Sequence, residues 1–367
     1  MPGSPLPIAP VLALTVLVTA GCPAQPPDGW PPSDEQARFR RAAEYSRAAD
    51  GASVLVMRRG RIIFEAYHNG YTAGRAHRLA SGTKSFWGVA AVAAVEDGLL
   101  QLDERVGATI TEWQDDPRKS RITVRQLLNF TSGLDPAQEL LRGPGGDKYR
   151  LALGVETLSE PGRRFRYGPS HLCVFGELLK RKLAAAGRDP DPLHYLQQRI
   201  LDPLDIHVSY WLRDRAGNPT MPFGAFLTAR EWARFGEFIR NGGRYQGKQI
   251  VSAELLAECF KGSQANGAYG LTFWLNQKPG PAELRRRAGN RPRRFRPLRR
   301  GPGGRLKEDP GRPFIWPDGP SDLVMAAGAG KQRLYIIPSM ELVIVRQGES
   351  ERGFEDREFL EMLLGRP

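Results

Sequence analysis

Apolar residues fall into two kinds of pattern along the chain, and the pattern switches twice. Between positions 52 and 67, the runs Ala52-Ser53-Val54-Leu55-Val56-Met57 and Ile62-Ile63-Phe64-Glu65-Ala66-Tyr67 flank a short Arg-Gly turn and predict a β-hairpin. The middle of the chain is helical instead. Val89-Ala90-Ala91-Val92-Ala93-Ala94-Val95 is apolar all round, predicting a buried helix from Ser81 to a stop at Asp97-Gly98. Further helices are predicted over 122–134 (capped by Thr123, ended by Gly133), 172–186, 193–200 and 228–241, the last led by Thr228 as N-cap. After position 270 the pattern returns to strands. Residues 270–276 are strand-like, and 333–337 and 341–346 flank a Pro338-Ser339 turn and are apolar on both faces, as central strands must be. A closing helix spans 355–364, and an opening one starts at the capping box Ser33-Asp34-Glu35-Gln36 with Phe39, Ala42, Ala43 and Ala49 on one face. Strands at both ends with helices between them predict an α/β (α+β) chain: one sheet built from distant segments, helices on its faces and a helical lobe inserted in the middle.

The first 32 residues stand apart. Positions 11–18 form an apolar run ending at Thr19-Ala20-Gly21-Cys22, too short and too proline-flanked for a comfortable membrane span, and they read as a secretion signal. The Ala-Gly-Cys ending resembles a bacterial lipoprotein signal, in which Cys22 is lipidated and becomes the mature N-terminus. Thr19 stands where an aliphatic residue is usual, and no Lys or Arg precedes the run; simple cleavage and an uncleaved tail are the alternatives. The expectation is an exported bacterial protein, periplasmic or anchored to the membrane through Cys22. The organisation expected is a signal over 1–22, a proline-rich linker over 23–32, and one domain over 33–367.

Composition changes this picture in one place. The net charge of +13 suggests a nucleic-acid binder until it is located. Thirteen basic and three acidic residues lie between Lys278 and Arg312. Outside that stretch the charge is nearly balanced, so nucleic acid is set aside as a partner. The Pro/Gly/Arg-rich insert at 278–313 is expected to be a disordered surface excursion. It is either a solvated loop or a tether to anionic surfaces. Cys22, Cys173 and Cys259 form no Cys-x-x-Cys pair, and the five histidines stand singly, so no metal site and no cofactor are expected. Cys173 reads as a buried core residue, and a Cys173–Cys259 disulfide has nothing in the spacing to favour it.

The candidate chemistry sits in Leu79-Ala80-Ser81-Gly82-Thr83-Lys84. On a helix, Ser81 and Lys84 leave the same face with Cβ atoms about 5–6 Å apart. An alcohol becomes a good nucleophile when a neighbouring base takes its proton, and burial together with a helix N-terminus disfavours the ammonium form of a lysine. The same helix end offers backbone N–H groups to a developing oxyanion. Ser-x-x-Lys is short, and Ser81 as a plain N-cap with Lys84 solvated is the bland alternative. Ser81 is the only serine with a lysine three residues on.

These residues resemble the serine β-lactamase-like hydrolases, a family of β-lactamases, penicillin-binding D,D-peptidases, esterases and 6-aminohexanoate-dimer hydrolases, over about residues 53–346. The resemblance implies an antiparallel sheet flanked by helices, with Ser81 as nucleophile and Lys84 as its base. Tyr167-Gly168-Pro169 falls where the family has Tyr-x-Asn, implying that Tyr167 relays protons to the leaving group. Gly328-Ala329-Gly330 falls where the family has Lys-Thr-Gly or His-x-Gly, implying substrate contacts from Gly328, Ala329, Gly330 and Lys331. A backbone N–H near Lys331 or Gln332 is expected as a second oxyanion donor, and Lys331 or Arg333 either replaces the missing cation or points to solvent. The 122–134 segment matches the helix ending in Thr-Ser-Gly-Leu, with Phe130 in place of a usual histidine. With Pro169 for Asn and glycine for the polar residue of the third motif, recognition groups for β-lactams are lost while the acid–base trio stays.

The resulting expectation is a hydrolase of small ester, amide or peptide substrates, ahead of a β-lactamase or D,D-peptidase and of a catalytically silent binding module. Gly168-Pro169-Ser170-His171-Leu172 misses the nucleophile-elbow pattern at Leu172, and Gly328-x-Gly330-Lys331 lacks the rest of a phosphate loop.

Overall fold

The computed structural model describes residues 32–143, 145–277 and 315–365; the expected signal with Cys22, the proline-rich stretch to residue 31 and the whole basic insert at 278–313 lie outside them. The predicted hairpin is β1 (Gly51–Arg58) and β2 (Arg61–Tyr67). A small sheet joins β3 (His77–Arg78), β4 (Tyr210–Trp211) and β5 (Ala225–Leu227), and β6 (Arg244–Tyr245) pairs with β7 (Lys248–Gln249). The last four strands are β8 (Trp274–Leu275), β9 (Val324–Gly328), β10 (Gln332–Ile337) and β11 (Leu342–Gly348). They close the main sheet in the order β2-β1-β11-β10-β9-β8, antiparallel throughout. The two ends of the chain thus meet at β1 and β11, with Leu55 opposite Val345.

Both faces of this sheet are covered, which is why β10 and β11 are buried along their whole length. On one face Val54, Val56, Tyr335, Ile337 and Ile344 pack against α1 (Pro32–Ala48) and the C-terminal helix. On the other, Leu55, Ala326, Leu334, Ile336 and Val345 share a core with α2 (Lys84–Glu96) and with the helical lobe. The lobe comprises α3 (Val124–Leu128), α4 (Lys148–Leu153), α5 (Ser170–Ala185) and α6 (Pro192–Leu196). Then come α7 (Ala229–Arg240), α8 (Ala253–Ala257) and the closing α9 (Asp356–Leu364). Because α2 is buried from Lys84 to Ala94, the serine turn in front of it is fixed against both sheet and lobe. Among the described residues no helix is long and apolar enough to cross a membrane.

Four elements differ from their predicted extent, among them the 193–200 helix, whose α-helical part is Pro192–Leu196 and which continues as a π-helical turn over Gln197–Leu201. The 122–134 helix is only α3: Thr123 caps it in a reciprocal box with Gln126, and the chain leaves it in a Schellman turn, Thr131 N–H bonding to the Gln126 carbonyl at 2.9 Å. The left-handed residue of that turn is Phe130 (φ 59), where glycine is usual. Of 270–276 only Trp274 and Leu275 pair as a strand. The Ser81 helix opens with a 3-10 turn over Ala80–Thr83 before α2 begins. Cys173 and Cys259 are buried free thiols with no disulfide between them, and burial raises the Cys173 pKa to about 12.

Candidate active site

The serine turn is held from both sides by β5. Leu79 N–H donates to the Ala225 carbonyl at 2.9 Å, and Ala225 N–H donates back to the Thr83 hydroxyl at 3.1 Å. Lys84, 3% exposed, is the first residue of α2. Its Nζ lies 2.9 Å from Ser81 Oγ and 2.9 Å from the Pro222 carbonyl oxygen. The two side chains therefore point at each other, and Lys84 is not the solvated lysine of the bland alternative.

The lobe brings Tyr167 to the same place. Arg166 N–H bonds to the Phe130 carbonyl at 2.9 Å, and Ser170 bonds through its N–H to Pro136 O and through its hydroxyl to Asp135 O. A Cβ on Gly168 would sit 2.5 Å from Pro136 Cα, so only glycine lets the Tyr167 segment lie this close to the 135–136 loop. The Tyr167 ring stacks on Trp274 (5.7 Å, 25°) and meets Phe130 edge-on (5.2 Å, 70°), with Lys84 Nζ 4.9 Å from its centroid. Phe130 in turn stacks on His171 (4.9 Å, 16°). That contact accounts for a bulky residue tolerating the left-handed conformation. His171 is a core histidine bonded to Ser132 Oγ and Arg166 O; burial lowers its pKa to about 4, so it is neutral near pH 7. Ser170, fully buried and spent on Asp135, cannot serve as the rival nucleophile.

The third wall is the end of β9. A Cβ on Gly328 would lie 2.1 Å from Leu79 O and 3.0 Å from the amide nitrogens of Ser81 and Gly82. The glycine thus serves close contact between the strand and the serine turn itself. Gly328→Ala must push those backbones apart, and a displacement near 1 Å at a reacting centre costs about 100-fold. Its kcat/KM is expected to fall by about that factor with a lowered melting temperature; wild-type values of both would refute the contact.

Beyond Gly328 the turn Ala329–Lys331 is braced by its carbonyls. Gln332 Nε2 donates to Ala329 O at 3.2 Å, and Arg346 Nη1 donates to Gly330 O at 2.7 Å and Lys331 O at 3.0 Å. Lys331 does not replace the missing cation: its Nζ lies 3.8 Å from Asp356, and Arg333 binds the same carboxylate at 2.6 Å. Both side chains serve the α9 face of the sheet, neither solvent nor Ser81. Burial raises the Asp356 pKa, but Arg333 and Lys331 outweigh it and hold it down at about 2. Among the described residues no group of three or more His, Cys, Asp or Glu stands ready for a metal.

Sequence reasoning did not find Pro222, Trp274 or Arg346. Pro222 contributes a carbonyl from 138 residues away, and no local pattern marks it.

The Beta-lactamase family model matches residues 36–358. The chain belongs to the beta-lactamase family. Lovastatin esterase from Penicillium rubens is 32% identical over 155 residues, a stretch covering 35% of this chain and 37% of the Penicillium protein. The structure of EstCE1, described as a hydrolase with promiscuous acyltransferase activity, superposes with TM-score 0.66 at 16% identity, covering 91% of this chain and 99% of that one. A penicillin-binding protein homologue from Caulobacter crescentus gives TM-score 0.66 at 14% identity, covering 90% and 96%. At such identities the structural likenesses establish the fold: the beta-lactamase/transpeptidase sheet with its helices.

Proposed function

We propose that the chain is a serine hydrolase that cleaves a small ester or amide through an acyl-enzyme on Ser81. The observation that carries this is the 2.9 Å contact between Lys84 Nζ and Ser81 Oγ. With its amine neutral, Lys84 takes the Ser81 proton as Oγ bonds to the substrate carbonyl carbon. The oxyanion is held by the N–H of Ser81 and by a second backbone N–H from the turn that follows Gly328, which lies against the serine turn. The proton passes through Tyr167 to the departing oxygen or nitrogen as its bond to carbon breaks. Water then attacks the acyl carbon, giving its proton to the base; the acid leaves and Ser81 regains its hydrogen. The esterase and acyltransferase names of the relatives support an ester substrate.

The alternative is a β-lactamase or D,D-peptidase. Pro169 in the second motif and the engagement of Lys331 and Arg333 with Asp356 favour the ester reading, because neither cation is left to meet a substrate carboxylate. Turnover of p-nitrophenyl butyrate and of nitrocefin, each with a Ser81→Ala control, separates the readings. Butyrate is expected to be the faster by at least about tenfold; faster nitrocefin hydrolysis contradicts the preference. Hydrolysis that persists in Ser81→Ala contradicts Ser81 as the nucleophile, and peptide binding without turnover favours a silent binding module. Export to the bacterial periplasm, with attachment through a lipidated Cys22, is part of the same proposal.

A further inference from the structure

The proposed cleft lies between the end of β9 and Tyr167 of the lobe, and one side chain bridges the two. β8 pairs with β9 at Leu275↔Val324 and Trp274↔Met325. The strand runs on from Met325 through Ala326 and Ala327 to Gly328, which abuts Ser81. At about 3.3 Å per residue, Met325 stands roughly 10 Å along the strand from that contact. From beside Met325 the Trp274 indole reaches across to the lobe. It stacks on Tyr167 and meets Tyr269 (4.8 Å, 80°) and Phe165 (6.3 Å, 70°) edge-on. Its backbone is fixed by β9 and its ring by Tyr269, itself fully buried, while the indole is only half-buried.

We propose that Trp274 limits the length of the acyl group accepted by Ser81, closing the cleft one short chain away from the nucleophile. The inference rests on the acyl-enzyme reading above. The leaving group has to depart while the acyl group stays bound, so the end shut by an aromatic wall suits the retained half and the open end the departing half. A chain lying along β9 has about 10 Å of strand before it meets the indole plane. A zigzag chain advances about 1.25 Å per carbon–carbon bond, so butyryl spans about 4 Å and fits, whereas octanoyl spans about 9 Å before the radius of its terminal methyl is added and overruns the wall. The substrate class is therefore esters of short, uncharged acyl groups.

The test is kcat/KM for p-nitrophenyl butyrate and octanoate with the full chain and with Trp274→Ala and Trp274→Phe. Wild type is expected to prefer butyrate at least about tenfold, and Trp274→Ala to shift the octanoate-to-butyrate ratio toward octanoate by a similar factor. Trp274→Phe, which keeps an aromatic ring at the edge strand, is expected to fall between and carries the test if the alanine variant does not fold. A general loss of structure would lower both rates without moving the ratio. A ratio changed less than twofold in the folded variants, an octanoate preference in wild type, or a shift seen only on lengthening the alcohol overturns the proposal. Failure of wild type to hydrolyse either ester through Ser81 overturns the acyl-enzyme reading, and this inference with it.

Discussion

Lys84→Ala is expected to lower kcat/KM for p-nitrophenyl butyrate by about 10³-fold or more, a loss of about 4 kcal/mol in transition-state stabilisation. Two features make the effect large. The Nζ sits 2.9 Å from Ser81 Oγ, so it reaches the proton directly, and no water has to be placed in between. Lys84 is also almost fully buried, and bulk water cannot readily take over as base. Folding is a separate matter: the alanine leaves Pro222 O without its donor, which costs about 1–3 kcal/mol for a buried acceptor. Thermal melts are therefore measured beside the kinetics, and Lys84→Met, which fills more of the space, is expected to show the same kinetic loss. A folded variant retaining activity within tenfold of wild type would show that another group accepts the proton.

Tyr167→Phe is expected to lower kcat/KM by about 10²-fold on an alkyl butyrate, but by less than tenfold on p-nitrophenyl butyrate. Phenylalanine keeps the ring stacked on Trp274 and packed against Phe130, so the geometry of the wall is preserved. Only the hydroxyl is removed. An alkoxide needs a proton to leave and p-nitrophenolate does not, so a relay role predicts a loss that depends on the leaving group. Equal losses on both esters would indicate that the ring merely shapes the cleft.

The part of the site visible in the sequence is the part made by local spacing. Ser81 and Lys84 are one helical turn apart, and the apolar run behind them shows that the turn is buried. Thr123, with Gln126 three residues on, marks a helix start by the same local logic. What the sequence hid depends on contacts between distant segments. Arg346 reads as a polar residue in an otherwise apolar strand, yet its guanidinium joins Ser46 and Ala49 of the N-terminal region to Gly330 and Lys331. Lys331 and Arg333 looked like candidates for a substrate cation because strand alternation alone does not say which carboxylate lies across the sheet; Asp356 does. The overlong 122–134 helix has a similar cause. Phe130 carries no turn propensity of its own and adopts φ 59 because His171 and Tyr167 accept its ring.

The most direct measurement is intact-mass analysis followed by peptide mapping after treatment with a fluorophosphonate. A single adduct on Ser81 is predicted, absent from Ser81→Ala and formed far more slowly by Lys84→Ala. No adduct, or one mapped to a different residue, would contradict the claim that the buried amine at position 84 arms this hydroxyl.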